Sequence, residues 1–133
     1  MKHSNMSSNN QIDVIQALAG SIEDTPVLML NINRYTEEAG FPNGDLYKSY
    51  MRAIEYSVGK VGGSVLWRRP IFASVVGDLT GFNEVFGVWY PSYQSFIDLP
   101  KADGAKMMFR HRKTCVEVAH ILAMPDTQPP SFP

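Results

Sequence analysis

At 133 residues, with 44% hydrophobic and 19% charged side chains, the chain suits one domain with its own core. A net charge of −1 argues against a nucleic-acid-binding surface, and no apolar run approaches the roughly 18 residues of a membrane-spanning helix. The single cysteine, Cys115, cannot close an internal disulfide, and Met1 to Asn10 lacks the apolar core of a signal peptide. The expected setting is therefore the reducing cytoplasm.

Residues 1–10 are rich in Ser and Asn and read as a disordered arm. Within residues 11–25, Ile12, Ile15, Leu18 and Ala19 mark a short amphipathic helix stopped by Gly20, followed by a connector. A helix this short is marginal alone and is expected to pack on the main body or on a partner subunit. Residues 26–124 form the domain proper. Its organising stretch is the first strand, opened by Pro26 and running Val27-Leu28-Met29-Leu30-Asn31-Ile32-Asn33-Arg34-Tyr35. Alternation puts Val27, Met29, Asn31, Asn33 and Tyr35 on one face, and Leu28, Leu30, Ile32 and Arg34 on the other. Two asparagines on one strand face are unusual. They either satisfy neighbouring backbone groups or supply the polar spot of an apolar cavity.

A loop of about ten residues follows, with Gly40, Pro42, Asn43 and Gly44, longer than most connections and of the kind that carries binding groups. Asp45 is positioned to cap the next helix. In that helix Tyr47, Tyr50, Met51, Ile54, Val58 and Val61 form the buried stripe, and Gly62-Gly63 ends it. Residues 64–77 read as a strand pair or one long bent strand, Val65-Leu66-Trp67 then Ile71 to Val76, with Pro70 forcing an edge or a bulge. Asp78 to Asn83 is a turn and Glu84 to Tyr90 a strand. Ser92 caps a short helix, Ala105 to Val116 forms another, and Glu117 to Met124 is the last strand. Residues 125–133 form a Pro-rich tail.

After the leading helix the order is strand, helix, strand, strand, helix, strand. This is an α+β, ferredoxin-like βαββαβ plan with an extra N-terminal helix. Helices cover one face of such a sheet. The other face would stay an exposed apolar patch unless a second copy covers it, so the expected partner is the chain itself, as a homodimer through the open sheet face. Trp67 and Trp89 are expected to serve packing or that interface.

Met29-Leu30-Asn31, Tyr47 and Tyr50, Gly62-Gly63 before Val65-Leu66-Trp67, Tyr90-Pro91-Ser92, then Phe96, Pro100 and His111-Arg112 occur in this order. In this ordered set the chain resembles the proteins grouped as domain of unknown function 1330, a branch of the dimeric α+β barrel superfamily. The resemblance spans roughly residues 26–124. It departs at Ala102, where the family has a tyrosine, and at Asp103-Gly104, which looks like a small insertion. It implies a ferredoxin-like protomer and a sheet-to-sheet dimer, without a reaction. Distant superfamily members include cofactor-independent monooxygenases, haem-degrading enzymes and muconolactone isomerases.

The candidate site follows from residue chemistry. Arg112 shares a helical face with Ala105, Met108, Phe109 and Val116. A guanidinium in an apolar stripe either snorkels out, meets a buried carboxylate, or anchors a ligand carboxylate through its planar fork. Tyr47 and Tyr50 would close the pocket against Asn31 and Asn33 if the helices cover that strand face. His111 is the candidate proton-transfer residue. His120 reads as a buried structural histidine, and Cys115 as a small buried hydrophobe. There is no metal-ligand spacing, no phosphate-binding glycine loop and no serine nucleophile elbow, so no metal or cofactor is expected. Three readings stand: a binder of a small acidic or aromatic organic molecule between sheet and helices, a cofactor-independent monooxygenase or isomerase, and a structural or interaction module with a filled interior.

Overall fold

A computed structural model describes residues 13–20 and 24–126. The expectations for the N-terminal arm, the connector at 21–23 and the tail beyond 126 lie outside these residues. Residues 13–19 form helix α1. The elements that follow are β1 (Val27–Tyr35), α2 (Asp45–Lys60), β2 (Ser64–Pro70), β3 (Glu84–Tyr90), α3 (Tyr93–Asp98), α4 (Ala105–Cys115) and β4 (Val116–Pro125). The protein is thus α+β. Its sheet has four strands in the order β2-β3-β1-β4, every pair antiparallel. Among the described residues no helix is long and apolar enough to cross a membrane.

Which face of β1 the helices cover, alternation leaves open. Burial decides it: Val27, Met29, Asn33 and Tyr35 are buried with Phe86, Val88 and Tyr90 of β3. The covering layer is α2, through Tyr47, Tyr50, Met51, Ile54, Ser57 and Val58, together with Met108 and Cys115 of α4. Fully burying side chains of this size contributes about 1.5–3 kcal/mol each, so this one layer carries most of the driving force for folding.

Local sequence explains the element ends, with some differences from expectation. Asp45 lies in the first turn of α2, and the cap position belongs to Gly44, because a Cβ there would sit 2.5 Å from the Ala39 carbonyl oxygen. The Asp45 carboxylate still favours the positive end of the helix dipole. Gly62, at φ 83°, reverses the chain after α2. Ser92 caps α3 as expected, its hydroxyl accepting from the Ser95 N–H at 3.1 Å.

The largest difference concerns residues 71–83. No second strand forms there. β2 ends at Pro70, bulged between Val65 and Trp67, and the chain continues as an irregular excursion to β3. Ile71 to Val76 has strand-like composition but no strand beside it: β2 is the edge of the sheet, and its partner β3 starts only at Glu84. Propensity without a pairing neighbour leaves the run exposed.

Register places Leu28, Leu30 and Ile32 of β1 opposite Trp89, Gly87 and Val85 of β3 on the open face. The Trp67 indole lies on Gly87, where an added Cβ would come within 2.9 Å of the ring. His120 is exposed rather than buried, because it pairs with Ile32 on this face, and its ring meets Phe82 at 5.3 Å.

Candidate ligand-binding site

A cavity of about 980 Å³ lies between the helix-covered side of the sheet and the helices. Its floor is Met29 and Asn31 of β1, Phe86, Val88 and Tyr90 of β3, and Ile121 to Ala123 of β4. Tyr50, Ile54 and Val58 of α2 form one wall, and Met108, Phe109 and Arg112 of α4 another. Phe96, Ile97, Leu99 and Pro100 close one side, and α1 lies over the space through Val14, Ile15, Gln16 and Leu18. The volume is at the upper end of the range for small-molecule sites, roughly 300–1,000 Å³, and the lining is mostly apolar with a few convergent polar groups.

Those polar groups are specific. The Asn31 side-chain N–H donates to the Met29 carbonyl at 3.1 Å, while its Oδ1 accepts from no described residue. Burial pushes the Tyr50 hydroxyl up to about 12, while the Arg112 guanidinium beside it pulls the other way. Tyr50 is therefore a neutral phenol at physiological pH, a hydrogen-bond donor and not a base. Arg112 is half-buried, and among the described residues no carboxylate pairs with it. The Tyr50 hydroxyl is its polar companion on the cavity wall.

The expected site residues thus separate into two groups. Asn31, Tyr50 and Arg112 line the cavity. Asn33, Tyr47 and His111 do not. Asn33 and Tyr47 belong instead to a closed network around Glu84, which is only 3% exposed. Tyr35 donates to Glu84 Oε1 and Tyr47 to Glu84 Oε2, each at 2.6 Å. The Asn33 side-chain N–H donates to the Tyr35 hydroxyl at 3.3 Å. Burial and the neighbouring carboxylate raise both tyrosines, so they remain donors. Phe41 stacks on Tyr35 and meets Tyr47 edge-on, closing the network from the side. Register explains the split: Asn31 lies opposite Phe86, and Asn33 two pairs further along on the same face, opposite Glu84.

His111 sits on α4 between the stripes and reaches neither the cavity nor a partner side chain among the described residues. Cys115 is buried, and desolvation pushes its thiol up to about 11, so it is no nucleophile at neutral pH. Sequence reasoning missed Glu84 and Gln16. The signal for Glu84 was a carboxylate in phase with the buried Phe86 and Val88. Gln16 had no signal before the helix was placed over the cavity.

No family model matches the chain, and no curated protein matches it. Solved structures do, two forms of one protein among them. The RPA0582 protein of Rhodopseudomonas palustris, a protein of unknown function, shares 22% sequence identity at a TM-score of 0.70, covering 88% of this chain and 94% of that one. The methylated form of RPA0582 aligns at the same identity and TM-score, covering 90% of this chain and 93% of that one. This likeness shows a shared fold over nearly the whole of both chains.

Proposed function

We propose that the protein binds a small organic acid with an apolar or aromatic body in the cavity between sheet and helices. The observation that carries this reading is Arg112 beside Tyr50 on the wall of an otherwise apolar space, with no carboxylate among the described residues paired to it. A half-buried guanidinium without a counter-charge is costly, and a ligand carboxylate supplies the matching fork. Tyr50 donates a second hydrogen bond, Asn31 Oδ1 accepts from a ligand hydroxyl or amide, and the apolar floor takes the body. In this reading the protomer is ferredoxin-like, of the dimeric α+β barrel kind, and pairs through its open face. The strand order β2-β3-β1-β4 and the one-sided helix layer support that.

Binding is favoured over catalysis by the wall itself. Its titratable side chains are Tyr50, Tyr90 and Arg112, and burial raises both tyrosines. None is a base near neutral pH, as an isomerase or monooxygenase step begun by proton abstraction needs. A filled structural interior is disfavoured by the volume.

The test is calorimetric titration with benzoate, cinnamate and octanoate, each against its neutral amide. The acids are expected to bind and the amides to bind at least tenfold more weakly. Arg112→Gln should cost the acids roughly ten- to hundredfold, the worth of one charged hydrogen-bond pair. Equal affinity for acids and amides, or an unaffected R112Q variant, overturns the assignment.

A further inference from the structure

We infer that residues 71–76 are an arm that clasps a second copy of this chain, packing against its open sheet face. Phe72, Val75 and Val76 stand almost wholly in solvent. Within six residues the run Ile71-Phe72-Ala73-Ser74-Val75-Val76 contains no charge. A protein rarely presents such a segment to water without a use for it.

The foot of the excursion shows which way it faces. Arg34 and His120 lie on the open face, and Phe82 packs on both: the Arg34 guanidinium is 5.2 Å from its ring centre, and the His120 ring is 5.3 Å away. The Ile71 N–H donates to the Asn83 carbonyl, pinning the two ends together. The arm is therefore rooted on the side of the sheet that the helices leave bare.

That face has the marks of a covered surface. Leu28, Leu30, Ile32, Val85 and Trp89 lie on it, and the indole N–H groups of Trp67 and Trp89 are shielded from solvent with no acceptor among the described residues. Yet the face alone is small. Four strands of about seven residues cover roughly 19 by 23 Å, on the order of 440 Å² in projection. A standard stable interface takes about 800 Å² from each partner. One exposed aromatic and two valines from each arm, applied twice by two-fold symmetry, supply the missing apolar area. A second copy is thus the occupant that fits both the area and the shared orientation of arm and face.

This inference rests on the dimer reading above, and the test separates the two. Sedimentation velocity across a dilution series compares the natural chain with a Phe72→Ser, Val75→Ser, Val76→Ser variant. These side chains make no core contact, so circular dichroism should be unchanged. The natural chain is expected to be a dimer, and the variant to dissociate at least tenfold more readily. A natural dimer with an unaffected variant overturns the arm while leaving the sheet-face dimer intact. A natural chain that is monomeric throughout overturns both. Co-sedimentation with phosphatidylcholine–phosphatidylglycerol vesicles, lost in the variant while the dimer persists, would reassign the arm to a lipid surface and overturn the proposal.

Discussion

The two ends of the covered sheet face use the same residue types in opposite ways. Around Glu84, two tyrosines and an asparagine close on one carboxylate, and both its oxygens accept a hydrogen bond at 2.6 Å. Two residue pairs along β1 and β3, Asn31, Tyr50 and Arg112 face the cavity. In the first arrangement both carboxylate oxygens and both tyrosine hydroxyls are paired, and only Asn33 Oδ1 is left without a partner; in the second no carboxylate among the described residues meets Arg112. Buried polar groups are high-stakes in both directions, since a closed network stabilises and an open one costs. The Glu84 end therefore serves stability, and under the proposed function recognition falls to the Arg112 end.

Substitutions should divide along the same line. The largest effect is expected for Glu84→Ala, which strands two buried tyrosine hydroxyls. Unfolding in urea should show a loss of about 3 kcal/mol or more, and ligand affinity of the folded fraction should be unchanged. A loss below about 1 kcal/mol would mean that water or relaxation replaces the carboxylate.

Alkaline pH comes next. Tyr35, Tyr47, Tyr50 and Tyr90 all have raised hydroxyls in the folded state. The folded chain thus holds its tyrosine protons more tightly than the unfolded chain. Their contribution is full below pH 10 and is lost as pH rises through the folded values. For Tyr50, moving from 10.0 to about 12, this is on the order of 2–3 kcal/mol. Urea midpoints measured from pH 8 to 12 should be flat up to about 10 and then fall; a flat profile to pH 12 would contradict the burial of these groups.

Tyr47→Phe removes one donor and leaves Glu84 with the other. A cost of about 1.5–3 kcal/mol is expected by thermal or urea unfolding, as for a hydrogen bond to a charged group. Arg112→Gln should have the reverse profile, moving stability by less than about 1 kcal/mol while abolishing the preference for acids over amides. The smallest effect is expected for His111→Ala, with neither stability nor affinity altered. A change in affinity there would return His111 to the site.

Much of this architecture was legible from local pattern. The alternation of β1, the stripe of α2, the stop at Gly62-Gly63 and the strand ending at Tyr90 depend on neighbours a few residues away, and the backbone periods of 2.0 and 3.6 expose them directly. Asn31, Tyr50 and Arg112 were legible as polar groups in apolar phase. Other features depended on which elements meet. Asn33 and Asn31 are indistinguishable in alternation, and only their cross-strand partners, Glu84 and Phe86, send one into a closed network and the other into a cavity. Ile71 to Val76 has the composition of a strand and becomes an exposed arm because no strand lies beside it. His111 shares a helix with Arg112, but the packing angle of that helix turns only one of them inward. Local sequence sets periods and faces because short-range sterics act on every residue alike. The tertiary structure decides what each face meets, because burial and pairing are properties of contacts between segments far apart in the chain.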